Sequence, residues 1–200
     1  MRLVVRLIKL ELALYVALGR WIVRRPQVPA ATTPWGYSRD VTPVMGLWIF
    51  ASALEVPLVH VLVPWDSVRL VLLGVSVWGL LWMLGMLASI RVYPHLADED
   101  GVRIRYGKFA DLRVPWDRVA AVTRVDRDLP SSIRTHQPLE TDAGTDLQIG
   151  VSARANVHLA LVGPTEVTTP KGPMTVVAVT FLVDDPVAFV AAARVASRLA

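Results

Sequence analysis

The sequence predicts an α+β membrane protein built from an N-terminal amphipathic helix, a two-helix transmembrane hairpin and a small antiparallel β-barrel capped by a C-terminal helix. Three observations carry this expectation. Two apolar runs, Pro43 to Val63 and Leu70 to Ile90, are each long enough to cross a ~30 Å hydrocarbon core as a helix. Only the short corner 64–69 separates them, so they are expected to be antiparallel neighbours. Beyond Tyr93-Pro94 the apolar residues change from helical spacing to alternation, the period of a strand with one buried face.

Composition agrees. Apolar residues make up 54% of the 200, more than an ordinary soluble chain carries, and the polar remainder is large enough for one small domain. Cysteine is absent, which excludes disulfides, thiolate metal sites and cysteine nucleophiles. The net charge of +4 is unevenly placed: residues 1–96 hold nine Lys/Arg against four Asp/Glu, and residues 97–200 hold twelve against thirteen. A nucleic-acid binder would concentrate positive charge on its folded domain, so no nucleic-acid partner is expected.

Residues 1–25 are expected to be retained, because Arg2, Arg6, Lys9 and Glu11 interrupt any signal-like apolar core and no A-x-A site follows. At 100° per residue Arg2, Arg6, Lys9, Arg20 and Arg24 gather on one side, opposite Leu3, Ile8, Leu12, Tyr15 and Ile22. Such a basic amphipathic helix is expected to lie flat in the membrane interface. Arg2, Arg6, Lys9, Arg20, Arg24 and Arg25 would then meet anionic head groups of the inner leaflet. Pro26, Pro29 and Pro34 make residues 26–40 a stiff linker.

The hairpin occupies residues 41–92. Its second run has no charge from Leu70 to Ile90 and should insert unaided, whereas the first contains Glu55, Pro57 and His60. An acidic group near a span centre costs roughly 2.5 to 3.5 kcal/mol, so the first run should enter with its partner. Glu55 is open to a functional reading as a proton relay, a cation site or a subunit contact; a local hydrogen bond or protonation would equally satisfy it. On the second run Gly74, Trp78, Trp82, Gly85 and Ser89 share one face, expected to pack on protein. Arg20, Arg24, Arg25, Arg39 and Arg91 lie at the opposite end of the hairpin from the corner, which offers Asp66 and Arg69. The positive-inside rule therefore places both termini in the cytoplasm of a multi-pass inner or plasma membrane protein.

Residues 96–200 read as the β domain. Alternation over Val102 to Tyr106, Leu112 to Trp116, Leu147 to Val151, Val157 to Val162 and Met174 to Val183 marks strands, with Gly163-Pro164 and Lys171-Gly172-Pro173 as turns. Asp184-Asp185-Pro186 opens the final helix, whose inner side is expected to show Phe189, Ala192, Val195 and Leu199. The polar stretch 126–146 is expected to form a long loop in which Arg134 and His136 are the candidate contacts.

The stretch Asp98-Glu-Asp-Gly-Val-Arg-Ile-Arg-Tyr-Gly107, followed by Val114-Pro-Trp-Asp-Arg-Val119, resembles the start of a bacterial pleckstrin-homology-like domain. Members of that family often follow a two-span hairpin. The resemblance covers roughly residues 90–200 and implies a seven-strand barrel with a capping helix, a scaffolding role and no catalytic residues.

No catalytic signature is present. The four histidines, His60, His95, His136 and His158, show no paired ligand spacing, and no G-x-S-x-G, Walker or G-x-G-x-x-G motif occurs. His158 is expected on the outward, solvated face of a strand. The sequence thus predicts a non-catalytic binding or scaffold module without cofactor or metal. Its expected partners are anionic membrane lipids and a protein partner or a second copy. The alternative is a small accessory subunit of a membrane transport or enzyme complex using Glu55.

Overall fold

The structure is a computed structural model. It describes residues 2–130, 136–169 and 172–199; the side chains of residues 2, 3, 6, 198 and 199 lie outside the description. The chain divides into two compact units, a helical one formed by 1–26 and 41–92, and a β-rich one formed by 27–40 and 93–200.

The helical unit has three helices, α1 (Arg2–Ile22), α2 (Val41–Leu62) and α3 (Asp66–Val92). Both α2 and α3 are long and apolar enough to cross a membrane. Along α2 and just beyond it the more covered positions include Thr42, Met45, Ile49, Ser52, Val56, Val59 and, past its end, Val63. Their alternating spacing of three and four residues is the seam of a helix packed nearly antiparallel on a neighbour, here α3. The rest of α2 is uncovered: Leu47, Trp48, Phe50, Leu58, Val61 and Leu62 are all exposed. Pro57 lies inside α2.

The helix α1 runs lengthwise along α3. Glu11 meets Trp78, Leu14 meets Gly85 and Trp21 meets Arg91, so the two helices advance in the same direction. Leu14 and Ala17 are buried in this contact. The apolar face read from sequence points elsewhere, with Ile8, Leu12 and Ile22 exposed. The physical reason is steric: only Gly85 lets the α1 backbone approach, since a Cβ there would lie 3.0 Å from Leu14 Cβ and 3.1 Å from its carbonyl oxygen.

The β-rich unit contains β1 (Thr33–Trp35), β2 (His95–Ala97), β3 (Gly101–Tyr106), β4 (Ala110–Pro115), β5 (Val119–Asp128), β6 (Gln137–Thr141), β7 (Gly144–Ile149), β8 (Arg154–Thr169), β9 (Gly172–Phe181) and α4 (Pro186–Leu199). They form two sheets, β1-β2-β3-β4 and β5-β8-β9-β7-β6. Neither closes, so the expected single barrel is replaced by two open sheets. The second is mixed, because β7 pairs with β9 in parallel.

Four further departures from the sequence expectation have local causes. Residues 27–40, read as a linker, supply β1, which pairs with β2. The Asp184 carboxylate fastens this segment by accepting the backbone N–H groups of Ser38 and Arg39. Within the stretch read as a long loop, β6 and β7 form a hairpin, because Glu140 and Thr141 pair with Thr145 and Gly144. Gly163-Pro164 is no turn but lies inside β8, at the register irregularity between Ala160 and Thr165. On α4 the buried residues are Phe189, Val190 and Ala193, while Val195 is exposed. Asp185 caps that helix, its carboxylate accepting Ala188 N–H at 3.0 Å. The core joins both sheets and α4 through Ile104, Val114, Trp116, Leu147, Leu159, Phe181 and Phe189.

Candidate functional site: a basic recess at the ends of two helices

The C-terminal end of α1 is built by a tight reversal. Arg25 N–H donates to Arg20 O at 2.8 Å and Arg24 N–H to Trp21 O at 3.0 Å, while Arg24 takes a left-handed backbone with φ 55°. A non-glycine residue there carries a conformational cost of order 1 kcal/mol. The reversal keeps Arg24 and Arg25 at the helix end, where the open carbonyls of the last turn favour cations.

Arg91, in the last turn of α3, comes to the same place. Its guanidinium sits 5.5 Å from the centre of the Trp21 ring and donates to Thr42 Oγ1 at 3.3 Å. Together Arg20, Trp21, Ile22, Arg24, Arg25 and Arg91 line a recess of about 560 Å³. Among the described residues no acidic side chain lines it or forms a salt bridge with these arginines. Guanidinium groups bind phosphate through two parallel N–H donors, and the indole and Ile22 supply an apolar wall. An anionic head group with its acyl chains fits that mixture.

The structure thus gathers Arg20, Arg24 and Arg25 of the six expected head-group residues and adds Arg91. Lys9 lies about three turns earlier on α1, roughly 16 Å along the axis from Arg20. Arg2 and Arg6 are earlier still, and their side chains lie outside the described residues. The sequence already sets Arg91 at the same end of the hairpin as these arginines; the fold adds its contact with the Trp21 ring.

Glu55 and His60 are both exposed on α2. Arg134 lies outside the described residues, and His136 is partly covered just before β6. His158, expected to be solvated, is mostly covered. Its Nδ1 is 2.9 Å from Thr180 Oγ1, and Thr180 in turn donates to the nearly buried Asp146, which also holds Arg127 at 3.0 Å. A threonine, a histidine and a carboxylate in sequence suggest a nucleophile, but the Thr180 hydroxyl is fully buried and already committed to Asp146. That network therefore organises β7, β8 and β9. Among the described residues no cluster of three or more His, Asp or Glu is arranged to hold a metal.

A second cavity, of about 770 Å³, lies in the β-rich unit between β1 and α4, lined by Trp35, Trp116 and Phe189 with Asp98 and Glu99 at its edge. Comparisons with family models, curated proteins and solved structures find no match to this chain.

Proposed function

We propose that this chain is a membrane-anchored, non-catalytic binding module whose helical unit inserts in the bilayer and whose basic recess captures the phosphate of an anionic lipid in the cytoplasmic leaflet. The single observation that supports it most is the convergence of Arg20, Arg24, Arg25 and Arg91 at one end of helices that expose many large apolar side chains along their length. In this reading α2 and α3 cross the bilayer as a hairpin. With α3 upright, α1 stands beside it; its 21 residues rise about 31 Å, enough to cross as a third, charge-bearing helix. That places the N-terminus on the side of the corner, and the arginine-rich ends with residues 93–200 in the cytoplasm. The flat helix and cytoplasmic N-terminus expected from sequence give way to this arrangement because lengthwise packing on α3 and lying in the plane are mutually exclusive.

The β-rich unit would serve as the platform for a protein partner, the role implied by the pleckstrin-homology-like resemblance; its two sheets and C-terminal helix are compatible with that role. The recess is tested by purifying the full chain from native membranes in mild detergent and quantifying retained phospholipids by mass spectrometry. The expected result is enrichment of anionic over zwitterionic lipid, lost several-fold in the Arg24→Gln/Arg25→Gln double variant. Equal retention in both proteins would refute lipid capture at this site.

A further inference from the structure

On the flanks of the helical unit two opposite charges stand without partners. Glu55 is exposed on α2 and Lys9 is exposed on α1, and among the described residues neither forms a salt bridge or side-chain hydrogen bond. The two helices each pack on α3 and scarcely touch one another, so Glu55 and Lys9 stand on helices that do not pair within one chain.

Their depths match. The hairpin turns at Val63 to Trp65, which sets Glu55 opposite about Leu73 of α3. Lys9 lies half a turn before Glu11, which bonds Trp78. The contacts Glu11–Trp78 and Leu14–Gly85 set Lys9 opposite residues 76 to 80, so along α3 the two charges are about three to seven residues apart, or roughly 5 to 10 Å. A lysine stem and a glutamate side chain together bridge that gap. Both positions are surrounded by exposed apolar residues: Leu54 and Leu58 around Glu55, Val5, Ile8 and Leu12 around Lys9. In hydrocarbon an ionised group is retained where it finds a counter-charge, and within one chain the separate packing of α1 and α2 on α3 denies it one.

We propose that two copies of this chain associate edge to edge in the bilayer, α2 of one against α1 of the next, through a Glu55 to Lys9 ion pair. This rests on the reading that all three helices cross the membrane. The interface joins unlike edges, so the pair keeps one free acidic edge on one copy and one free basic edge on the other, and the assembly grows until it closes into a ring. The recess at the arginine-rich ends takes no part in it.

The test uses the full chain reconstituted in vesicles of zwitterionic and anionic phospholipid, with the oligomer fraction read by single-molecule photobleaching. Wild-type protein should form oligomers, Glu55→Lys and Lys9→Glu should each lower that fraction at least tenfold, and the two reversals combined should restore it. Resistance to carbonate extraction and anionic-lipid retention, read on the same samples, separate a failed interface from failed insertion or failed lipid capture. Because a reversal can impair insertion, a second experiment co-expresses Glu55→Cys and Lys9→Cys chains, which contain no other cysteine. A disulfide joining the two unlike variants is the expected product. Monomeric wild-type protein, a double reversal that stays monomeric, or no mixed disulfide would each overturn the proposal.

Discussion

The indole N–H of Trp78 donates to Glu11 Oε1 at 2.7 Å, joining α1 to the middle of α3. The Tyr15 hydroxyl donates to the same oxygen at 2.9 Å, so one carboxylate serves two donors in apolar surroundings. Hydrogen bonds between membrane helices contribute about 0.6 kcal/mol on average and up to about 1.7. Glu11→Ala should therefore lower the thermal unfolding midpoint of the purified chain in detergent. Glu11→Gln, which keeps an acceptor oxygen, should retain most of the wild-type value. Identical melting of Glu11→Ala and wild type would show that the bond does not hold α1.

Gly85 provides the other half of that contact. Because any Cβ would approach both Leu14 Cβ and the Leu14 carbonyl oxygen closely, Gly85→Val should push α1 off α3. Limited proteolysis is the readout: cleavage between Arg24 and Pro29 should accelerate, while peptides from 93–200 keep their wild-type rate. Unaltered cleavage would mean that the helices tolerate wider spacing.

His95 gives the β-rich unit a pH dependence. Its Nδ1 accepts Arg105 N–H at 2.9 Å, which leaves the proton on Nε2, donated to Leu182 O at 2.9 Å. Burial, with a small addition from the Arg105 charge and against the pull of the Leu182 bond, depresses the imidazole from 6.5 to about 4. Between those values the unfolded chain binds a proton that the folded one refuses. Stability is thus full above pH 6.5 and falls as the pH drops toward 4, by roughly 3 kcal/mol at most. His158, also lowered chiefly by burial, adds in the same direction. Hydrogen exchange of peptides covering β2, β3 and β9 should accelerate over this range, and His95→Gln should flatten most of the response. An unchanged slope in that variant would assign the effect elsewhere.

Much of the architecture is legible in the chain. The length and purity of the two apolar runs announce α2 and α3, and the alternation of Val102, Ile104, Leu112 and Val114 announces β3 and β4. Less legible is anything that depends on a partner distant in sequence. Thr33–Trp35 has no strand pattern of its own and becomes β1 only because His95–Ala97 offers an edge. Glu140 and Thr141 look like loop until Gly144 permits the reversal with φ 124°. For the candidate site, Arg20, Arg24 and Arg25 were visible as a basic cluster. The contact of Arg91 with Trp21 and the direction of α1 were not, because a helical wheel shows which residues share a face and not what that face meets.

Asp146 is the anchor of the second sheet. Nearly buried, it accepts from Thr180 at 2.9 Å and pairs with Arg127 at 3.0 Å. Arg127 is 41% exposed, so water screens part of that pair, and the hydrogen bonds rather than the net charge set the cost of losing it. Asp146→Ala should destabilise the β-rich unit by about 2 kcal/mol. Hydrogen exchange of β7 and β9 reads the change, and protection equal to wild type in both strands would show that the network is dispensable.

The proposed topology has the hairpin crossing a membrane with residues 93–200 on the cytoplasmic side, and cysteine accessibility tests it most directly because the chain has no thiol of its own. Ser67→Cys marks the exposed first turn of α3 beside the corner, and Asp142→Cys marks the exposed turn between β6 and β7. In intact cells a membrane-impermeant maleimide should label Ser67→Cys at once and Asp142→Cys only after permeabilisation. Labelling of Asp142→Cys in intact cells, or protection of both positions until lysis, would refute this topology.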